Sequence, residues 1–290
     1  MSPTQQREEV RYLGYLSSLF SASLIRRLPD AAALLEVRAI LGTTGLWAAL
    51  RQMTLGQVFD RAYAVLKESY RCEYLYKNTI AEKILLGRHS PRTSGLLSEL
   101  QVCNSKVDLV LVNGSTVAYE IKTELDSPDR LHSQLLAYQQ AFDRIYVVTH
   151  ERVAHRFSET LPEGVGLLCM TSRHTLATAR DSQPNPSRIN SGVIFDMLRR
   201  REYLPIVRRY FGHEPSVPNT RIYSACRSLF SDLPIDSVRI EFARVLKGRC
   251  HAAVSVPLNG DLEIPRSLLL HALTGGLTGD QYGALSFPVL

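Results

Sequence analysis

The sequence lacks the spacings that would announce a stapled, metal-knotted or membrane-bound protein. Its five cysteines (Cys72, Cys103, Cys169, Cys226 and Cys250) are scattered, odd in number and form no C-x-x-C pair. They read as small buried apolar residues in a reducing compartment. The eight histidines show no H-x-H or H-E-x-x-H spacing, so a zinc site has no support. The most apolar early stretch, residues 31–50, contains Glu36, Arg38 and a Gly-Thr-Thr-Gly break and is too interrupted to cross a bilayer. The first ten residues are polar and do not resemble a secretory leader. A cytoplasmic protein with no membrane partner is expected. Trp47 is the sole tryptophan and, with the N-terminal aromatics, reads as core. No internal repeat or low-complexity tract is evident. Charge of one sign is only slightly in excess: 34 basic against 28 acidic residues leave +6 and a pI near 9.1. That balance favours a polyanionic partner such as nucleic acid, although many soluble proteins carry as much without one.

What is present is enough for a packed globular chain: 290 residues, 45% of them hydrophobic. Residues 5–87 carry apolar side chains at helical spacing throughout. Leu13, Tyr15, Leu16, Leu19 and Phe20 form one set; Val58, Ala62, Val65 and Leu66 form another; Tyr74, Leu75, Ile80, Ile84 and Leu85 form a third. The pattern then shortens. Residues 96–102, 107–112 and 117–122 read as strands separated by turn residues. A helix over about 127–142 follows, with Ser127 as its cap and Pro128 in its first turn. Two more strands are expected at 144–149 and 164–171. This order predicts an α/β fold with a mixed sheet flanked by helices. The expected division is an N-terminal helical region (1–70), a core (71–178), a linker (179–192) and a mainly helical C-terminal region (193–290).

Asp108, Glu120 and Lys122 are the most informative residues. They lie in two apolar runs joined by Asn113-Gly114, a strong hairpin signal. Alternation puts Glu120 and Lys122 on one face, and Asp108 on the partner strand can face them. Two carboxylates suit magnesium, which takes oxygen ligands and few protein carboxylates. An amine beside a developing charge supplies electrostatic stabilisation. The carbonyl of Ile121, between Glu120 and Lys122, is a further candidate ligand.

D-x(11)-E-x-K on a hairpin, followed by a helix bearing Q-x-x-x-Y, resembles the PD-(D/E)xK, restriction-endonuclease-like nuclease superfamily over roughly residues 71–172. The resemblance implies a restriction-endonuclease-like core and a metal-dependent nuclease. Asp108 and Glu120 would hold Mg2+ or Mn2+, and Lys122 would assist water attack. Gln134 and Tyr138, one turn apart, would touch the active-site side. Residue 107 is Val where the motif's name has Pro, a common departure. The superfamily also places a Glu before the first strand; Glu73, Glu82 and Glu99 are the candidates, with Glu73 favoured and Glu99 a second possible ligand. Within the superfamily, the stretches around 72–90 and 98–138 look like one group of uncharacterised bacterial proteins whose pattern includes Glu73, Tyr74, Lys77, Asn78, Glu99 and Asp126. A setting in phage defence or mobile elements would fit. The expected partner is nucleic acid, DNA ahead of RNA, with no base-reading motif to set specificity. A homodimer or a partner protein is also open.

Each residue has a plainer reading. E-x-K on a strand is commonly an exposed ion pair, and Gln134 and Tyr138 could be a polar pair at a helix edge. Glu73 could bridge Lys77 one turn away, Glu99 could be an edge charge, and Asp126 could cap the next helix. Arg199, Arg200, Arg201, Arg208 and Arg209 are either a phosphate-binding face or a solvated helix surface. The whole could be a non-catalytic nucleic-acid-binding or assembly module built on a nuclease fold.

Overall fold

The computed structural model describes residues 11–254 and 264–289. The polar N-terminus, the first residues of the expected helical stretch and part of the C-terminal tail lie outside the described residues. Two compact units are present. One comprises the chain up to Thr93, the segment Met170–Leu176 and the chain from Cys250 onward; the other comprises Ser94–Cys169 and Ala177–Arg249. The expected division into consecutive regions is therefore not the one seen, because the first unit draws on both ends of the sequence.

The first unit is helical, as its spacing predicts. It holds α1 (11–17), α2 (Ala22–Arg26), α3 (Ala31–Thr43), α4 (Trp47–Leu50), α5 (Leu55–Ser69) and α6 (Glu73–Ile80). Ala81–Leu86 continues α6 as a π-helical segment. Helix α5 begins with a capping box between Thr54 and Gln57. Near the C-terminus, α13 (Leu269–Thr274) and α14 (Gly279–Ala284) complete this unit. Asn78 ties its two sequence-distant parts together: the buried amide donates to the Arg266 carbonyl and the Tyr63 hydroxyl, and accepts from the Leu270 N–H.

An aromatic stack of Phe20, Tyr74 and His271 lies in this core. His271 Nε2 donates to the Phe20 carbonyl at 2.9 Å. Burial, helped by the Arg26 and Lys77 cations, pushes the imidazole down to about 4. The folded state therefore binds the His271 proton less readily than the unfolded chain, whose histidine titrates near 6.5. The associated stability is present above that value and is lost as pH falls towards 4. Urea unfolding of the wild type should lose about 2–3 kcal/mol between pH 7 and pH 4 from this group. His271→Gln, which keeps a side-chain N–H, should remove that part of the pH dependence. An unchanged profile in the variant would contradict this account.

The second unit contains the sheet apart from Met170 and Leu176, the residues that end its fifth strand and begin its sixth: β1 (Gly95–Val102), β2 (Ser105–Val112), β3 (Thr116–Ile121), β4 (Arg144–His150), β5 (Gly166–Met170) and β6 (Leu176–Arg180), in sequential order across six strands. β1–β2 and β2–β3 are antiparallel, and β3–β4 is parallel. The fold is thus mixed α/β, with a mixed sheet and flanking helices. β2, β3 and β4 are almost wholly buried, as expected for strands covered on both faces. α7 (Leu131–Gln139) lies between β3 and β4 in sequence. It starts later than the sequence suggests, because Ser127 closes a turn on the Asp129 N–H rather than capping the helix. A short helix, α8 (His155–Ser158), follows β4. The remaining helices are α9 (Ser191–Asp196), α10 (Arg200–Phe211), α11 (Ile222–Ser231) and α12 (Ile235–Ala253).

The expected linker at 179–192 is not a free tether. Its first residues end β6, Ser182 Oγ accepts from the Ile145 N–H, and Asn185 binds the backbone of Gln139 and Asp143. Polar composition here reflects side chains that satisfy backbone groups at the sheet's end. Among the described residues, no helix is long and apolar enough to cross a membrane.

Candidate carboxylate and lysine site

The β2–β3 hairpin brings the central residues together. Val112 pairs with Thr116, so the loop is Asn113-Gly114-Ser115, with Gly114 in the left-handed region at φ +71°. The expected Asn-Gly turn therefore has three residues. Leu109 pairs with Tyr119, and one step further Asp108 and Glu120 stand opposite each other. Asp108 Oδ2 accepts from the Ile121 N–H at 2.7 Å, which fixes this carboxylate on the β3 backbone.

Glu120 and Lys122 are both buried, with 2% and 9% exposure. Lys122 Nζ lies 2.8 Å from Glu120 Oε1 and donates to Gln134 Oε1 at 3.0 Å. The Tyr138 hydroxyl lies 2.7 Å from Glu120 Oε2 and 2.9 Å from the Lys106 carbonyl, so its one proton is shared between two acceptors. Burial and the Glu120 and Asp108 carboxylates hold this phenol well above its ordinary range, keeping it a donor. Gln134 and Tyr138 thus reach Lys122 and Glu120; one turn of α7 delivers both to the face bearing that pair.

Other expected residues fall elsewhere. Glu73, on α6 in the first unit, is half exposed and bridges Lys77 at 2.5 Å, its plainer reading. Glu82 pairs with Lys83. Glu99 lies opposite Asp108 in the β1–β2 register, since Ser98–Leu109 and Leu100–Val107 flank them. Its backbone takes φ +57°, an uncommon conformation for a residue with a Cβ, and its side chain pairs with Lys106 at 2.8 Å. Asp126 does not cap α7. Its Oδ2 accepts from the Thr123 N–H and hydroxyl, while Arg156 donates to the carbonyls of Glu124 and Asp126, so the loop after Lys122 is braced from both sides.

The arginine run does not act as one unit. The Arg199 N–H donates to Glu202 at the start of α10, Arg200 donates to Asn219, and Arg209 is held by Glu241. Arg201 and Arg208 are exposed.

Sequence reasoning missed Thr149. Parallel pairing of Glu120 with Val147, followed by Lys122 N–H to Val148 O, puts Thr149 in phase with Lys122 on the next strand. Its buried hydroxyl has no hydrogen-bond partner among the described residues. Only the strand register could have signalled it.

Among the described residues, no group of three or more His, Cys, Asp or Glu is placed to hold a metal. The two carboxylates that the hairpin brings together, Asp108 and Glu120, are oxygen donors, which suit magnesium or manganese better than zinc.

A solved protein of unknown function from Silicibacter pomeroyi is 15% identical; the match covers 37% of this chain and 68% of that one at a TM-score of 0.30, and carries no argument. Protein cII of Enterobacteria phage P4 is 26% identical over 172 residues, which cover 54% of this chain. The chain spans 62% of the length of that curated relative. The pattern of the family described as bacteriophage P4 protein cII matches residues 66–259, a stretch containing the whole hairpin, α7 and the helices to α12. With well over half of its length matched, the chain belongs to the bacteriophage P4 protein cII family.

Proposed function

We propose that this protein is a metal-dependent nuclease with a restriction-endonuclease-like core, cutting phosphodiester bonds of DNA or RNA. The observation that carries the reading is the juxtaposition of Asp108, Glu120, Lys122, Gln134 and Tyr138 on one hairpin and one helix face. These are the residues that carry the D-x(11)-E-x-K and Q-x-x-x-Y resemblance. Asp108 and Glu120, with the Ile121 carbonyl, would hold Mg2+ or Mn2+, which when bound offsets phosphate charge and eases deprotonation of the attacking water. Gln134 and Glu120 aim the Lys122 ammonium, which then donates to the water or to the charge developing on phosphorus oxygens. Tyr138 holds Glu120 in place. The phage relative fits a setting in mobile elements or phage defence.

One observation favours a second reading, a non-catalytic nucleic-acid-binding or assembly module: both oxygens of Glu120 already have protein donors. Two measurements separate them. Single- and double-stranded DNA and RNA incubated with Mn2+ should be cut by the wild type and not by Lys122→Ala. Calorimetric titration with Mg2+ or Mn2+ should show a binding isotherm. An intact panel and a flat titration would overturn the nuclease reading and leave the module.

A further inference from the structure

The chain's surplus positive charge is confined to one stretch. Residues 199–249 hold eleven of the 34 basic residues and five of the 28 acidic ones, a net +6; the rest of the chain carries 23 of each sign. The whole excess thus resides on α10, α11, α12 and their loops.

The fold concentrates it further. Arg209 pairs with Glu241 at one end of α10, and Glu202 pairs with Arg249 at the other, so α10 and α12 run antiparallel and in contact. Glu241 is 2% exposed and is shared by two arginines, Arg209 at 2.6 Å and Arg244 at 2.5 Å. One carboxylate under two guanidinium groups leaves a net positive charge and orders both arginines, which remain about half exposed. Glu202 is similarly covered by Arg249. The two acids between α10 and α12, Glu202 and Glu241, are therefore largely buried as braces, while Arg209 and Arg244 reach solvent. Arg201 and Arg208 lie on one exposed face of α10 by their seven-residue spacing, and Lys247 follows Arg244 by one turn on α12. Arg201, Arg208 and Lys247 make no ion pair among the described residues.

We infer that the α10–α12 pair is a docking surface for the phosphate backbone of a nucleic acid, with Arg201, Arg208, Arg209, Arg244 and Lys247 as its contacts. Twelve residues of α10 span about 18 Å, the rise of about five nucleotides of one strand. Contacts of this kind carry no base information, so binding is expected to be indifferent to sequence. The surface deepens the nuclease reading by giving it a substrate grip, but it stands on charge and can be tested without catalysis.

The test is fluorescence anisotropy of labelled 20-nucleotide single-stranded DNA and 20-base-pair duplex DNA, in EDTA, across a salt series. Wild type should bind at least one of them at 50 mM salt. Arg201→Gln/Arg208→Gln should weaken binding tenfold or more at 100 mM salt. The slope of log affinity against log salt should become shallower by about 1.8 on duplex or about 1.4 on single strands, for two lost phosphate contacts. Arg244→Gln/Lys247→Gln should do the same. Arg201→Lys/Arg208→Lys should retain most of the binding, and Arg51→Gln/Arg61→Gln, in the first unit, should leave it within twofold. Unchanged thermal midpoints certify folding. Absence of wild-type binding, undiminished wild-type affinity in both Gln pairs, or binding only to phosphatidylserine vesicles would overturn the inference. Cleavage by wild type with Mn2+, scored separately, reports on the carboxylate site whichever way the binding result falls.

Discussion

Asp108→Asn should abolish Mn2+- or Mg2+-dependent cleavage, by at least about a hundredfold to a thousandfold, while leaving the fold intact. The magnitude is that of removing one preorganised electrostatic contact at a reacting centre. Asparagine is the informative replacement because the wild-type carboxylate has two roles. Its Oδ2 accepts the Ile121 N–H and so ties β2 to β3 where their pairing ends. An amide oxygen can take that hydrogen bond over. What the amide cannot supply is negative charge facing Glu120. Urea unfolding of the variant without metal should therefore stay within about 1 kcal/mol of wild type, the net worth of one hydrogen bond. Asp108→Ala would lose both roles and confuse them. Metal should also stop stabilising the protein. Wild type at a hundred times its dissociation constant should gain about 2.7 kcal/mol, and Asp108→Asn should gain little. Full cleavage by Asp108→Asn would end the nuclease reading.

The hairpin was legible because its signals agree. Asn113-Gly114 supplies the left-handed residue, and the apolar runs on either side leave Asp108, Glu120 and Lys122 as the polar exceptions. Gln134 and Tyr138 were legible because helical spacing fixes a shared face. Other features left no local trace. β6 is an exposed strand of Leu, Ala, Thr, Ala and Arg with no apolar alternation to announce it. The role of Asn78 depends on partners nearly two hundred residues away. Favouring Glu73 over Glu82 and Glu99 had no local support, because each ends in an ion pair with a lysine and only coordinates reveal which lysine. The arginine run looked uniform in sequence, yet Glu241 selects Arg209 from it and recruits Arg244 from another helix.

The buried pair of Glu120 and Lys122 should make the largest stability effects in the second unit. Lys122→Met strands a carboxylate that keeps only the Tyr138 donor; Glu120→Gln strands an ammonium that keeps only Gln134 and an amide oxygen. Removing one member of a buried ion pair costs about 3–5 kcal/mol, since the other charge stays desolvated. The double variant Glu120→Gln/Lys122→Met strands neither. It should unfold in urea at a stability close to that of either single variant, not at the sum, giving a coupling as large as one single loss, about 3–5 kcal/mol. All three variants should fail to cleave. Metal then discriminates between a site and a structural bridge. If Asp108 and Glu120 bind an ion, Lys122→Met, which retains both carboxylates and has lost their competing cation, should recover more stability in Mg2+ than wild type gains. Glu120→Gln should recover little. A bridge with no ligand of its own would show the same coupling in the cycle but no such recovery, because metal would distinguish none of the four proteins.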